Sequence, residues 1–75
     1  MPDYELRSEV TGSVWKVLVQ PGAKVAAEEP LVVVESMKME IPLLAPAAGE
    51  VFSLLVEEGE QVEEDQLLVV LRCPG

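Results

Sequence analysis

An internal repeat is the feature that most constrains the fold of this chain. Residues 12–35 align with residues 49–72 at an offset of 37, without a gap. Nine of the 24 aligned positions are identical, where chance in such a Val-, Leu- and Glu-rich chain gives roughly two. Two copies are too few for a solenoid, so each half is expected to cover the apolar face of the other. The identical pairs are Gly12/Gly49, Val14/Val51, Leu18/Leu55, Val19/Val56, Gly22/Gly59, Val25/Val62, Leu31/Leu68, Val32/Val69 and Val33/Val70.

Each half shows the residue pattern of β-strands. Apolar side chains recur with period two around Trp15 and, in the same phase, around Phe52, and no segment of helical length keeps a period of 3.6. Glycine-containing turns follow at 20–22 and 57–59, before a second apolar run in each half. The sequence therefore predicts an all-β fold, in which the equivalence of Trp15 and Phe52 indicates two core aromatic residues.

The second informative feature is a lysine between two methionines, where the chain must reverse direction. Apolar runs at 31–34 and 41–44 predict two strands joined by a tight hairpin. Such a hairpin favours Asn-Gly or another pair that accepts positive φ, and Met-Lys is a poor local choice. A turn that breaks the local rule without visible compensation is where function is expected. The hairpin residues are Glu35, Ser36, Met37, Lys38, Met39 and Glu40.

The repeat also predicts where the lysine lies relative to the chain termini. Shifting Lys38 by 37 positions gives Met1 in one direction and Gly75 in the other. A two-fold axis would therefore bring the termini together at the end of the molecule opposite Lys38. This layout suits a carrier that is attached at one end and loaded at the other.

Size and composition narrow the function classes. We expect the 75 residues to form one domain, residues 1–75, too small to enclose a substrate in a deep cleft. The net charge of −9 disfavours binding to nucleic acid. We also expect no membrane association and a cytoplasmic location, because no apolar run approaches the roughly 20 residues of a membrane span and no signal-peptide pattern is present.

Residue usage argues against an independent enzyme. The chain has no histidine, which removes the common Ser/His and Cys/His nucleophile pairs and most zinc sites. The single cysteine, Cys73, is interpreted as an incidental edge or tail residue. A carrier, adaptor or binding module is therefore favoured.

The motif and the repeat together resemble the biotinyl/lipoyl attachment domain family, over about residues 4–71. Residues 35–39 are similar to the biotinyl motif Glu-Ala-Met-Lys-Met, with Ser36 in the place of alanine. The segments 12–14 and 45–51, and the turns 19–22 and 56–59, resemble the family's paired landmarks. The resemblance implies a flattened β-barrel, or barrel-sandwich hybrid, of two antiparallel sheets with quasi-two-fold symmetry. Lys38 would then lie on an exposed hairpin turn.

The resemblance also implies the chemistry. Lys38 would carry covalent biotin, attached by a biotin protein ligase, and would shuttle carboxyl groups between a biotin carboxylase and a carboxyltransferase. An acyl-CoA carboxylase is one enzyme of this kind, and the carrier itself would be non-catalytic. Met37 and Met39 would flank the cofactor, with covering the end of the barrel as the alternative role, of nearly equal weight for Met39. Glu35, Ser36 and Glu40 are candidates for recognition by the ligase or the carboxylase.

Several points stay open at the level of sequence. A lipoyl carrier, or a protein that accepts both groups, is the first alternative, although lipoyl domains typically carry Asp-Lys-Ala at the turn. An unmodified β-adaptor is more remote.

The acidic run 57–65 is interpreted mainly as a solubility feature, with electrostatic steering as the alternative. Glu28 and Asp65 stand where the family commonly has glycine, and aspartate tolerates a positive φ better than glutamate. A closed barrel favours a monomer.

Overall fold

The computed structural model describes residues 3–73, which form eight β-strands and no helix. The strands build two antiparallel four-stranded sheets, ordered β1-β8-β6-β3 and β5-β4-β2-β7. The predicted all-β barrel-sandwich is therefore confirmed. The strands are β1 (Asp3–Arg7), β2 (Gly12–Val17), β3 (Lys24–Val25), β4 (Pro30–Ser36), β5 (Met39–Leu44), β6 (Gly49–Leu54), β7 (Gln61–Val62) and β8 (Leu67–Arg72).

The two sheets are related by the offset of the sequence repeat. A shift of 37 residues converts β2, β3 and β4 into β6, β7 and β8, and the reverse shift converts β5 into β1. The turn hydrogen bonds repeat in the same way. The Gly22 N–H donates to the Val51 carbonyl at 2.7 Å, and the Gly59 N–H donates to the Val14 carbonyl at 2.8 Å. The predicted quasi-two-fold symmetry is thus present in the backbone as well as in the sequence.

The two halves are interlocked by their shortest strands. The two-residue β3 of the first half pairs with β6 of the second half, and β7 of the second half pairs with β2 of the first. An isolated two-residue strand has too few ladder hydrogen bonds to persist alone. Each sheet is therefore completed only by the other half of the chain.

The core lies between the sheets and repeats the same symmetry. Fully buried leucines and valines come in equivalent pairs, such as Leu31 with Leu68 and Val32 with Val69. Burying a side chain of this size stabilises the fold by roughly 1.5–3 kcal/mol. Since each member of a pair lies on a central strand of its sheet, both halves supply similar parts of the core.

The structure corrects the prediction that Trp15 and Phe52 are core residues. Their side chains are 47% and 53% exposed. The pairing register shifts between Val14 and Lys16, and again at the equivalent place in β6. Trp15 and Phe52 are the extra residues at these two β-bulges, so the simple period-two pattern fails there.

The structure also corrects the interpretation of Cys73 as an incidental tail residue. Its side chain is only 5% exposed and belongs to the core. A Cβ built on Gly49 would lie 3.0 Å from the Cys73 Sγ, so the thiol fills space that this glycine leaves open. Cys73 therefore extends the core by one residue beyond strand β8, which ends at Arg72.

Two turn residues adopt the left-handed conformation in place of glycine. Glu28 has a φ of 68° and Asp65 a φ of 72°, at equivalent positions of the repeat. The two sites at which the family commonly has glycine therefore have a positive φ in this chain. Glutamate bears the larger penalty of the two, because aspartate visits this region more readily.

The described chain ends pair with each other. Asp3 lies opposite Arg72 in the β1–β8 ladder, and the Arg72 Nε donates to the Asp3 carboxylate at 3.0 Å. This hydrogen bond lowers the pKa of Asp3 and raises the pKa of Arg72. The contribution of the pair to stability is therefore present at neutral pH and is lost as the pH falls through the lowered pKa of Asp3.

The lysine hairpin lies at the other end of the molecule. From Asp3 the chain runs along β1 and the following segment to Thr11, whose carbonyl accepts a hydrogen bond from the Ser36 Oγ at 2.9 Å. β2 then returns toward Gly22, which contacts β6. The prediction that the termini meet opposite the lysine turn agrees with this path, although residues 1–2 and 74–75 lie outside the described part. No helix in the described residues is long and apolar enough to cross a membrane.

Two glycines hold the crossing strands close together, and this leads to a stability prediction. A Cβ at Gly12 would collide with the Glu35 carbonyl oxygen, and one at Gly49 would lie 2.6 Å from that of Arg72. We expect Gly12→Ala and Gly49→Ala each to lower the free energy of unfolding by about 3 kcal/mol. Gly22→Ala, in open space but at a φ of 90°, is the control, with a loss of about 1 kcal/mol. Urea denaturation measures all three, and equal losses would contradict the close approach.

Candidate functional site

The candidate site is the two-residue turn that joins β4 to β5. Ser36 pairs with Met39 as the last rung of the ladder, and only Met37 and Lys38 lie beyond it. Their φ angles are 52° and 66°, the positive pair that defines a type I′ hairpin turn. The sequence prediction of a tight reversal at Met-Lys is confirmed, and neither residue is one that favours this conformation.

The apex of the turn projects into solvent. Met37 is 90% exposed and Met39 is 61% exposed, and Lys38 between them is also exposed. Within residues 3–73, the Lys38 amine forms neither a salt bridge nor a hydrogen bond. Exposure of two methionines is costly in water, so this apex suits contact with another molecule.

The base of the hairpin is anchored to the neighbouring segment at residues 11–12. The Ser36 Oγ donates to the Thr11 carbonyl at 2.9 Å, and Gly12 allows its strand to lie close against Glu35. The Thr11 Oγ1 in turn accepts a hydrogen bond from the Glu64 N–H at 3.0 Å. These contacts fix the position of the strands, and a rigid ladder beneath the turn fixes which residue occupies the apex.

Two carboxylates face each other on the second rung below the turn. Glu35 pairs with Glu40 in the β4–β5 ladder, and both side chains are exposed. Like charges directly opposite each other on neighbouring strands destabilise a sheet. No described arginine or lysine forms a salt bridge with either carboxylate.

The acidic segment 57–65 lies at the same end of the molecule. Its strand β7 pairs with Gly12 and Ser13, next to the base of the hairpin. The equivalent segment 20–28, at the opposite end, has one lysine and one glutamate where 57–65 has six carboxylates. Of these two segments, the one at the lysine end therefore carries most of the negative charge.

The sequence-predicted residues are brought together by this hairpin. Glu35, Ser36, Met37, Lys38, Met39 and Glu40 occupy the apex and the two rungs below it. Thr11 and Gly12, for which the sequence indicated no role, lie beneath the hairpin and hold it. The identity of Gly12 and Gly49 in the repeat was the signal that could have indicated Gly12. Among the described residues, no group of three potential metal ligands occurs.

The family model described as "Biotin-requiring enzyme" matches residues 5–71. The chain belongs to the biotin/lipoyl attachment family. It is 39% identical over 67 residues to a biotinylated protein TB7.3 homolog of Mycobacterium leprae, covering 89% of this chain and 94% of that protein. It is also 39% identical over 41 residues to the biotin/lipoyl attachment protein of Bacillus subtilis, covering 55% of this chain and 56% of that one.

Solved structures show the same attachment-domain fold inside larger proteins. A single-chain, multi-domain long-chain acyl-CoA carboxylase matches with a TM-score of 0.90 and 35% identity over 96% of this chain. The urea carboxylase of Kluyveromyces lactis matches with a TM-score of 0.89 and 32% identity, also over 96%. This chain spans only 7% and 6% of those two chains. Membership of the family and likeness to these carboxylases support the role of a biotin carrier domain.

A more distant match shares the fold alone. A putative efflux transporter from Bacteroides eggerthii has a TM-score of 0.84 over 93% of this chain but only 14% identity. This chain covers 39% of that transporter. The attachment-domain fold thus also occurs in a protein described as a transporter.

The positive φ at Met37 leads to a prediction about the stability of the turn. Asparagine accepts positive φ more readily than methionine, so we expect Met37→Asn to raise the free energy of unfolding by about 1 kcal/mol. Met39→Asn is the matched control, because Met39 is exposed but lacks a positive φ. Thermal and urea denaturation compare the two variants. A gain in both, or in neither, would show that the turn is not strained at Met37.

Proposed function

We propose that Lys38 is the site of covalent biotin attachment and that residues 1–75 act as a single biotinyl domain. The observation that carries this proposal is the position of Lys38 at the apex of an exposed two-residue turn. Membership of the biotin/lipoyl attachment family and similarity to a biotinylated protein support it. Lys16 and Lys24 lie on strands β2 and β3, away from such a turn.

The attachment reaction requires little chemistry from the carrier. The Lys38 Nζ attacks the carboxyl carbon of a biotinyl-adenylate, an amide bond forms, and AMP leaves with the electrons of the broken acyl–phosphate bond. Lysine side chains are protonated at neutral pH, so the biotin protein ligase must accept a proton from the amine before or during attack. The carrier contributes a projecting amine at a fixed position, which the ligase can enclose.

The loaded carrier would then serve two partner active sites. A biotin carboxylase would place a carboxyl group on the biotin ring, and a carboxyltransferase would pass it to an acceptor. Tethering makes each encounter effectively intramolecular, at concentrations on the order of millimolar for short flexible links. The similarity to an acyl-CoA carboxylase and to a urea carboxylase supports partners of this type, with acyl-CoA as one acceptor class.

The residues around Lys38 have distinct proposed roles. Met37 and Met39 present flexible apolar surface that adapts to more than one partner. Glu35 and Glu40 offer charged contacts to the ligase or carboxylase, while Ser36 positions the hairpin through Thr11. The carrier itself would perform no bond chemistry. A cytoplasmic location and a monomeric state remain predictions.

One alternative has a specific observation in its favour. The relative from Bacillus subtilis is described as a biotin/lipoyl attachment protein, so a lipoyl group on Lys38 is the second candidate. The methionines on both sides of Lys38 favour biotin, because lipoyl domains typically have Asp-Lys-Ala. An unmodified adaptor has only the fold of the efflux transporter in its support.

Intact-mass measurement after co-expression with a biotin protein ligase tests the proposal. We expect one biotinyl group on the wild-type chain and none on Lys38→Arg, which keeps the charge but lacks a nucleophilic amine. Lys16→Arg and Lys24→Arg are the matched controls and should be modified like the wild type. A lipoyl mass would favour the alternative. Absence of any adduct on the folded wild type, with a known carrier modified in parallel, would contradict the carrier function.

A further inference from the structure

The outer face of the β1-β8-β6-β3 sheet holds an arginine in a defined setting. The Arg72 guanidinium donates to the Asp3 carboxylate at 3.0 and 3.3 Å. Its central carbon also lies 3.9 Å from the centroid of the exposed Phe52 ring. One guanidinium thus combines a two-point ion pair with stacking on an aromatic face, which is a favourable geometry for arginine.

The symmetry-related face of the other sheet lacks this arginine. The repeat offset places Glu40 at the position of Asp3, Glu35 at that of Arg72 and Trp15 at that of Phe52. The strand registers are equivalent, because Glu35 pairs with Glu40 as Arg72 pairs with Asp3. We call these three residues, Trp15, Glu35 and Glu40, the Trp15 face.

The fold does not require this difference between the two faces. Backbone pairing, bulge position and turn hydrogen bonds are the same in both halves, so the second half shows that an arginine is compatible with the frame. The first half instead keeps two facing carboxylates beside an exposed indole, at a cost in stability. A cation supplied from outside would relieve that cost.

We propose that the Trp15 face binds an arginine guanidinium of the biotin protein ligase, in the manner in which Phe52 and Asp3 bind Arg72. This inference rests on the proposed function, since it assumes that Lys38 is the ligase's target. Any enzyme that closes over Lys38 must also cover Glu40 and Glu35, which form the second rung below the apex.

The arrangement of Arg72 in this chain and the contact of Lys16 with Trp15 both favour arginine over lysine as the group that binds the Trp15 face. The chain's own Lys16 already places its Nζ 5.6 Å from the Trp15 ring centroid, near the outer limit of roughly 6 Å for a cation–π contact. A lysine amine is a compact and strongly hydrated charge. A planar guanidinium can stack on the indole and donate to a carboxylate beside it at the same time, as Arg72 stacks on Phe52 and donates to both oxygens of the Asp3 carboxylate.

The charge distribution supports docking of a basic surface at this end. Segment 57–65 carries six carboxylates, and its strand β7 pairs with Gly12 and Ser13 close to the base of the hairpin. A concentrated negative field accelerates the approach of a basic partner and weakens with added salt. The equivalent turn at the opposite end has no such field, since its lysine and glutamate cancel.

The first test is a single substitution that is expected to raise the stability of the chain and to weaken its recognition by the ligase. Glu35→Arg places an arginine opposite Glu40, as Arg72 lies opposite Asp3, so we expect a higher melting temperature. The same variant should raise the KM for ligase-catalysed biotinylation about tenfold, a loss of about 1.4 kcal/mol, with kcat unchanged. Glu28→Arg makes the same charge change in the turn at the opposite end and should leave KM within about twofold. An unchanged KM for Glu35→Arg, or an equal rise for Glu28→Arg, would overturn the proposal.

The second test does not depend on biotinylation. Trp15 is the only tryptophan of the chain, so its single indole N–H signal in an NMR spectrum reports directly on this face. We expect a saturable shift with N-acetyl-arginine amide, a smaller one with N-acetyl-lysine amide, and no shift in Glu35→Arg. Equal or absent shifts would overturn the arginine site. A chain that shows the arginine shift but is never biotinylated would leave the face intact and refute the proposed function.

Discussion

The exchange of two short strands between the halves is the constraint on which the rest of the structure depends. β3 completes the sheet of the second half and β7 completes the sheet of the first. Neither half can therefore bury its apolar face without the other, and the core is shared between equivalent residues such as Leu31 and Leu68. The close approaches at Gly12 and Gly49 are part of the same exchange, because each lets two strands cross where a Cβ would block them.

This frame explains how an unfavourable turn can be maintained. Met37 and Lys38 both hold positive φ angles, which cost roughly 1–2 kcal/mol each for residues of this type. The strand pairs beneath them and the Ser36–Thr11 hydrogen bond over-determine the reversal. Local strain of this kind is typical of sites where a side chain must be presented in one position. The two ends of this quasi-symmetric fold differ, since the proposed attachment site lies at one end and the paired ends of the described chain lie at the other.

Much of the fold could be predicted from the repeat, because two similar halves without helical periodicity leave few arrangements. The tight turn at Met37 and Lys38 was also predictable from the apolar runs on either side. The positions of Trp15, Phe52 and Cys73 were not. A β-bulge adds one residue to a strand and reverses the side-chain alternation, and nothing in the local pattern around Trp15 marks where this happens. Cys73 lies in the core beside Gly49, and only the folded chain brings these two residues together.

The central claim is that the folded hairpin, rather than the local sequence, makes Lys38 the target of biotin attachment. The most direct measurement compares the rate at which a biotin protein ligase modifies the whole chain with the rate for a linear peptide of residues 31–44. The peptide keeps every residue of the motif but loses the ladder that fixes the apex. A rate advantage for the whole chain on the order of a hundredfold is expected, because small displacements of a reacting group are this costly. Equal rates for the two substrates would contradict the account.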